Sequence, residues 1–284
     1  VLANEYNQIQ LDAFYDRIQH NRLSTTKESR KVLPVVIFSS TSLLVINRLR
    51  KLGIIAFDIN SIFGSKITDI LLRTQNLPLL FNNPENIEKE ISSILSTISN
   101  AGQETALTDL RGALFEFLMY PLISNLYPNS NIERGKILAS ETTDETGVKV
   151  IEKYEYDYIV INNNPPELIF IELKGYNSAA TIPLGNKDAK ASLKWFFRKT
   201  LPFGIKQYHK FIKEGKVGKG VYITSANFDE DGKEFISTMN NSKLKPLQID
   251  TGYERDSLIR LLLERGFKNE VQVIEKFYTK KIEY

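Results

Sequence analysis

The order of apolar and polar positions along the chain predicts alternating helices and strands. In the first hundred residues, a helical pattern at Tyr6–Ile18 is followed by strand-like patterns at Val32–Phe38 and Ile54–Ile59. Between the two strands, Leu43–Leu52 reads as a helix that ends at Gly53. This order predicts a small βαβ-like α/β unit. Two further helices are predicted at Lys66–Gln75 and Ile87–Ser99.

The pattern changes after the polar stretch at residues 100–103. An apolar repeat predicts a long helix at Glu104–Leu126, which Pro121 is expected to kink or shorten. We then predict three strands, at Ile132–Ala139, Val148–Ile161 and Leu168–Leu173. A helical segment at Asp188–Lys213, broken near Pro202–Gly204, follows them, and a fourth strand is predicted at Gly220–Thr224. A strand meander completed through a crossover helix predicts a mixed sheet with helices on its faces. We therefore divide the chain into residues 1–100, a recognition or assembly domain, and residues 101–284.

The end of the third strand carries the most distinctive polar residues, Glu172 and Lys174. Alternate residues of a strand share a face, so these two side chains point the same way, about 7 Å apart. The preceding strand carries Glu155 and Asp157, and an antiparallel hairpin of the two strands would bring Asp157 near Glu172. Converging carboxylates suit Mg²⁺, and a neighbouring lysine can orient or deprotonate water. An ion pair across a solvated sheet face is the alternative interpretation.

A third carboxylate, Glu116, is the only charged residue in the apolar run 113–119. Two interpretations are open for it. It either belongs to the polar face of an amphipathic helix, or the helix packs on the sheet and delivers the carboxylate to the same cation.

Together these residues resemble the active site of the PD-(D/E)xK, or restriction-endonuclease-like, nucleases. The resemblance implies that Asp157, Glu172 and the carbonyl of Leu173 hold Mg²⁺, for which Mn²⁺ can substitute. It further implies that Lys174 activates the attacking water and that Glu116 is an accessory ligand.

The resemblance covers about residues 104–225 and also implies the fold. The expected class is α/β, with a restriction-endonuclease-like αβββαβ core around a mixed central sheet and a smaller N-terminal α/β domain. Gln207 resembles an additional catalytic glutamine of the resolvase-like and exonuclease-like branches, although an ordinary solvent-facing position is the alternative. Residues 220–228 resemble a strand and loop of Mrr-like nucleases.

Composition and charge restrict the chemistry further. The 284 residues include no cysteine and two histidines, which excludes disulfides, thiolate metal sites and cysteine nucleophiles and argues against a multi-histidine zinc site. The net charge is only +3, but ten basic residues oppose two acidic ones between Lys187 and Lys219. Spacings of three and four residues predict that basic side chains form helical stripes that contact DNA phosphates, at Lys187, Lys190, Lys194, Arg198, Lys206, Lys210 and Lys213. The alternative is that these side chains are simply solvated.

The sequence therefore predicts a Mg²⁺-dependent deoxyribonuclease, more specifically an endonuclease. The implied contexts are restriction or other defence, recombination, or a mobile element, and the implied partners are DNA and a second copy or a larger nucleoprotein assembly. A catalytically inactive nuclease-fold subunit that binds DNA or supports assembly is the alternative, and an α/β protein with another partner is a third reading. No leader or long apolar run is evident, so a cytoplasmic location without membrane contact is expected.

Overall fold

The computed structural model of the protein describes residues 5–24, 33–60, 72–73, 76, 86–100, 104–143 and 149–279. Most of the helix predicted at Lys66–Gln75 and most of the boundary predicted at 100–103 lie outside the described residues. The described part is a mixed α/β structure with a small N-terminal α/β part and a five-stranded mixed sheet. Contacts divide the chain into two compact units, Val1–Leu80 with Ser93–Gln103, and Phe81–Ser92 with Glu104–Tyr284.

The first unit contains the predicted strand–helix–strand order. Its elements are α1 (Gln8–Ser24), β1 (Val35–Phe38), α2 (Leu43–Lys51) and β2 (Ile55–Asp58), while α3 (Ile87–Asn100) belongs partly to each unit. Strands β1 and β2 are parallel, with Val35 opposite Ile55. Ser42 caps α2 by accepting a hydrogen bond from the backbone N–H of Val45, and Gly53, at φ +68°, follows the helix end.

After its share of α3, the second unit continues with a long helix and a meander of three strands. These are α4 (Glu104–Leu126), β3 (Asn131–Thr143), β4 (Lys149–Asn163) and β5 (Pro166–Lys174), followed by the short β6 (Thr181–Ile182). A helical segment follows, made of α5 (Leu193–Trp195), a π-helical turn (Phe196–Thr200), α6 (Leu201–Gln207) and α7 (His209–Lys213). It leads to the fourth long strand, β7 (Val217–Thr224). The remaining elements are β8 (Asn227–Phe228), α8 (Glu230–Asn240), β9 (Gly252–Tyr253), α9 (Arg255–Glu264) and α10 (Lys268–Phe277).

The five-stranded sheet has the order β3-β4-β5-β7-β9. Strands β3, β4 and β5 are antiparallel neighbours, whereas helices connect β5 to β7 and β7 to β9, which are parallel pairs. Strands β6 and β8 form a separate parallel pair. The predicted mixed sheet, and the order of one helix, three strands, a helical segment and a strand, are therefore confirmed. None of the described helices has the length and apolar character needed to cross a bilayer.

Different elements cover the two faces of the central sheet. On one face, Phe170 of β5 packs against the ring of Tyr156 and so close to Gly204 of α6 that a Cβ there would lie 2.6 Å from its ring. On the other face, the hydroxyl of Tyr158 in β4 donates to the backbone carbonyl of Glu116 in α4, at 2.9 Å. Strand β5 is therefore buried along most of its length, where polar side chains are costly unless they are paired.

The helices differ from prediction at their prolines. Pro121 does not shorten α4, which continues to Leu126. The later segment does not break at Pro202–Gly204, because the π-helical turn places this proline in the first turn of α6, where its missing N–H is tolerated. Instead, the helical segment starts only at Leu193 and is interrupted at Tyr208, which separates α6 from α7.

Candidate functional site

The predicted β4–β5 hairpin is present and brings two acidic residues to one place. The ladder pairs Asn163 with Pro166 and continues to the pair formed by Tyr158 and Ile171, where it stops. Asp157 and Glu172 stand next in their strands. At this point the Asp157 carboxylate accepts a hydrogen bond from the backbone N–H of Leu173, at 2.6 Å, so a side chain replaces the backbone acceptor that a continued ladder would supply.

Lys174 links these two carboxylates. Its Nζ lies 2.6 Å from Oε1 of Glu172, 4.0 Å from Oδ2 of Asp157 and 3.2 Å from the carbonyl oxygen of Leu173, to which it donates. The side chains of Glu172, Asp157 and Lys174 are 5%, 14% and 22% exposed. The two carboxylates therefore lie on the same side of the sheet and share one largely buried ammonium group.

The neighbouring strand β7 fixes the end of β5. The hydroxyl of Thr224 and the backbone N–H of Ser225 both donate to the carbonyl oxygen of Lys174, at 2.8 and 3.2 Å. The Ser225 hydroxyl donates to the carbonyl of Tyr176 two residues further on. Thr224 and Ser225 are fully buried, so they hold the backbone that carries Lys174 in a defined position.

Strand β4 is irregular immediately before Asp157. Tyr156 packs in the core beneath α6, whereas Tyr158 reaches α4 on the opposite face, although regular alternation would place both on one face. Across the ladder, Gly135 of β3 has φ +56° and is missing from the regular pairing. Regular alternation along β4 would also place Glu155 and Asp157 on one face, and this irregularity removes the basis for expecting that.

Burial and mutual repulsion shape the charges of the cluster. Burial raises the pKa of Glu172 to about 7, although the ammonium of Lys174 opposes the effect. Burial also raises the pKa of Asp157, again against Lys174 and against the Leu173 N–H. For Lys174, burial alone would lower the pKa, but the charges of Glu172 and Asp157 outweigh it and raise the pKa. Lys174 is therefore an ammonium ion at neutral pH and serves as counterion to the two acids.

Helix α4 brings Glu116 into the electrostatic range of this cluster. The backbone of Glu116 accepts the hydrogen bond from Tyr158, which is next to Asp157 in β4. Burial raises the pKa of Glu116 to about 7, and the charge of Asp157 is the next largest cause. The structure thus favours the second of the two interpretations of Glu116, a helix that packs on the sheet and carries a carboxylate toward the other acids.

The close approach of α4 and β5 depends on Gly175, which directly follows Lys174. A Cβ on Gly175 would lie 2.4 Å from Cβ of Phe115 and 2.7 Å from the carbonyl oxygen of Arg111. We expect Gly175→Ala to push the helix away from the strand end and to lower the free energy of unfolding by about 1–3 kcal/mol. Urea denaturation would measure the change.

Gly112→Ala is the matched control on α4. A Cβ at Gly112 meets no atom within 4 Å, so alanine should stabilise the helix by about 0.5–1 kcal/mol. Equal stabilities of the two variants would contradict the packing argument.

The oxygen atoms of the cluster are of the ligand type that a hard divalent cation prefers. Three carboxylates and the Leu173 carbonyl are the ligand types that Mg²⁺ prefers, and burial raises the pKa of each of the three acids, so a bound cation would favour their charged forms. Within the described ranges, however, no group of three or more acidic or histidine side chains stands in a metal-binding arrangement. Lys174 and the Leu173 N–H occupy carboxylate oxygens of Glu172 and Asp157, so a cation would have to displace the ammonium.

Gln207 is not brought together with these residues. Helix α6 begins with Leu201 packed over Gly220 and continues with Ile205 packed over Gly218. It therefore runs toward the start of β7 and of the parallel strand β5, away from the end of β5 where the acids lie. In the described part of the chain, no contact joins the half-buried Gln207 to the cluster.

The seven predicted nucleic-acid-binding residues do not form continuous helical stripes. Lys187 and Lys190 lie before α5, in a turn where Oδ1 of Asn186 accepts backbone hydrogen bonds, and Ser192 caps the helix that follows. The prediction of a helix over this turn is wrong, because the Asn186 side chain offers local hydrogen bonds that compete with a helix. The other five residues lie in the helical segment, with Lys194 half-buried and the rest exposed, at Arg198, Lys206, Lys210 and Lys213.

Comparisons with known proteins give no match. No protein-family model, curated protein or solved structure is significantly similar to this chain.

A buried arginine on α4 was not among the predicted site residues. Arg111 is 8% exposed. The sequence contains a signal for this burial, since Arg111 shares the helical spacing of the buried residues Phe115, Leu118 and Leu122. Thr224 and Ser225 were likewise overlooked as groups that position Lys174, and no spacing rule identifies them.

Proposed function

We propose that this protein is a divalent-metal-dependent nuclease that hydrolyses DNA phosphodiester bonds. In this proposal it acts as an endonuclease in restriction or another defence process, in recombination, or in a mobile element. The observation that carries the proposal is the meeting of Asp157, Glu172 and Lys174 at the buried end of β5, beside the middle of β4, with Glu116 nearby. A surface ion pair would not require three carboxylates in electrostatic contact around one lysine.

Each residue has a distinct role in this proposal. Asp157, Glu172 and the Leu173 carbonyl would hold Mg²⁺ or Mn²⁺, and Glu116 would be an accessory ligand. The bound ion would supply Lewis-acid stabilisation of charge on the phosphate. Lys174 holds a proton at Nζ and is positioned by its backbone hydrogen bonds to orient a water molecule or to stabilise negative charge. The exposed basic residues between Lys187 and Lys213 would hold the DNA backbone, with a second copy of the chain or a larger assembly as further partners.

One observation favours the alternative function, an inactive nuclease-fold subunit that binds DNA or supports assembly. Lys174 is already paired with Glu172 at 2.6 Å, and among the described residues no three-carboxylate metal cage is present. A protein that binds DNA without cleaving it would keep the basic surface but would not need to release Lys174 from this pair.

Cleavage of plasmid and linear DNA by the purified full chain tests the proposal. We expect nicked and cut products with Mg²⁺ or Mn²⁺ and none with a chelator, because the ion supplies the charge stabilisation. Lys174→Ala should abolish cleavage. The chain contains a matched control at Asp231-Gly232-Lys233, which repeats the acid–x–lysine spacing at an exposed helix start, so Lys233→Ala should cleave like the wild type.

Other outcomes separate the remaining readings. DNA binding that weakens with salt, without cleavage in either metal, would support the inactive subunit. Absence of DNA affinity at low salt would reject both and leave an α/β protein with another partner.

A further inference from the structure

Arg111 is a buried cation that has no partner among the described residues. Its residue is 8% exposed, and its Nε lacks any hydrogen-bond acceptor. Within the described residues, no carboxylate or carbonyl pairs with any part of its guanidinium group. Arginine keeps its charge in proteins, so an unpaired buried guanidinium is costly to the fold and requires an anion to offset the cost.

A second arginine nearby, Arg255, has the hydrogen-bond acceptors that a structural guanidinium group needs. Arg255, at the start of α9, donates to the carbonyls of Ser225 and Tyr278 and to the hydroxyl of Thr279, at 3.4, 3.1 and 2.9 Å. All three acceptors belong to the chain itself. The described residues offer Arg111 no such set, so hydrogen bonding among them does not explain its guanidinium.

Arg111 lies at the carboxyl edge of the parallel strands. Its carbonyl oxygen accepts a hydrogen bond from the Tyr278 hydroxyl, at 2.9 Å, and lies against Gly175, the residue after Lys174. The carbonyl of Tyr278 in turn accepts from the N–H of Ser178 in the loop after β5. In α/β sheets, ligands bind outside the carboxyl ends of the strands, and this is the edge at which Lys174 also stands.

The distance along α4 restricts what Arg111 can reach. Arg111 and Glu116 are five residues apart, which is roughly 7.5 Å of helix rise. Long helical side chains also lean toward the helix N-terminus, so we expect the guanidinium on the side of Arg111 away from Glu116. An anion held by Arg111 would therefore be separate from one that reacts beside Lys174.

We propose that Arg111 binds a phosphate group at the carboxyl edge of the sheet, next to but distinct from the position of the reacting group. Its planar guanidinium matches the geometry of phosphate oxygens with paired N–H donors. The choice of phosphate over another anion rests on the proposed function, in which a neighbouring phosphate of the DNA strand, internal or terminal, would occupy this position. The need for an anion does not depend on that function.

Thermal unfolding with added ligand tests the inference without metal or cleavage. The full chain is titrated in chelator with inorganic phosphate, against chloride at equal ionic strength, and then with short single-stranded DNA with and without a 5′-phosphate. We expect phosphate to raise the Tm of the wild type more than chloride does. In Arg111→Met, phosphate and DNA should bind about tenfold more weakly or worse, because the charged hydrogen bonds are lost.

The same variants distinguish a binding role from a structural one. If Arg111 serves a ligand, Arg111→Met without phosphate should be at least as stable as the wild type, since a buried unpaired charge is removed. Arg111→Lys, which keeps the charge but loses the planar donors, should recover only part of the binding. The exposed Arg260 gives the matched control, and Arg260→Gln should bind phosphate like the wild type.

Three results would overturn the inference. They are equal effects of phosphate and chloride on the wild type, unchanged phosphate binding in Arg111→Met, and a clear loss of stability in that variant without ligand. The 5′-phosphate comparison assigns the group to a strand end or to the internal backbone. Phosphate binding without DNA cleavage would support the inference and reject the nuclease proposal. DNA cleavage by a protein that does not bind phosphate would support the nuclease proposal and reject the inference.

Discussion

Asp157→Asn is expected to reduce metal-dependent DNA cleavage by about a thousandfold or more while the fold is retained. Asparagine has nearly the same shape as aspartate, and its Oδ1 can still accept the hydrogen bond from the Leu173 N–H. It cannot supply a negative charge to a divalent cation, so a loss of activity would report the charge of residue 157 rather than its packing. Plasmid cleavage rates with Mg²⁺ and with Mn²⁺ measure the effect.

The same substitution should stabilise the protein at high pH. Burial raises the pKa of Asp157, so its folded-state stabilisation is present below its ordinary pKa and is lost as the pH rises. Asp157→Asn should therefore have a higher Tm than the wild type at pH 8 and the same Tm at pH 3. Loss of activity together with a gain of stability is typical of a functional acid. Full activity in Asp157→Asn, or lower stability at pH 8, would contradict the assignment. Asp231→Asn, in the exposed copy of the motif, should change neither quantity.

The elements around the site were predictable because their sequence patterns are long. Helix α4 has the bounds predicted at Glu104–Leu126, and the strands carrying Asp157 and Glu172 form the predicted antiparallel hairpin. In both, the apolar periodicity is sustained over many residues and the turn between the strands is marked by consecutive asparagines and prolines.

Local backbone chemistry accounts for the expectations that were wrong. A helix was expected through Lys187 and Lys190, but the hydrogen bonds of Asn186 hold a turn there instead. A break was expected at Pro202, but a π-helical turn accommodates the proline. Such features depend on single hydrogen bonds, and periodicity does not report them.

The site itself was predictable only in part, because its charges depend on packing between distant segments. Sequence patterns placed Glu172 and Lys174 on one face, but the hydrogen bond from the Leu173 N–H to Asp157 arises where two strands separate. The direction of α6, which carries Gln207 away from the acids, is likewise set by packing against the glycines of β7. Motif spacing therefore predicted that the acids on the two strands lie together, but it did not predict that Gln207 lies away from them.

The protein is expected to lose stability as the pH rises from about 4.5 to 8. The pKa of Glu116 is raised from its ordinary 4.5 to about 7, first by burial and then by the charge of Asp157, and burial raises that of Glu172 to about 7 as well. Between these pH values the folded protein retains protons that the unfolded chain has lost. The stabilisation from these groups is thus complete below pH 4.5 and is lost as the pH passes 7. Urea denaturation at several pH values measures the slope.

Glu116→Gln should flatten this slope, because one of the titrating groups is removed. A carboxyl whose pKa moves from 4.5 to about 7 on folding costs about 3 kcal/mol at pH 8, and partial exposure of Glu116 reduces the expected gain of the variant to about 2 kcal/mol. At pH 4 the variant and the wild type should be equally stable, and Glu234→Gln on the exposed face of α8 should follow the wild type at every pH.

Mg²⁺ at pH 8 should raise the Tm of the wild type more than that of Glu116→Gln, since a ligand that binds only the folded state stabilises it in proportion to its affinity. A wild-type pH slope in Glu116→Gln would mean that this carboxyl is hydrated and separate from the cluster, which would remove it from the proposed metal ligands while leaving Asp157 and Glu172 in place.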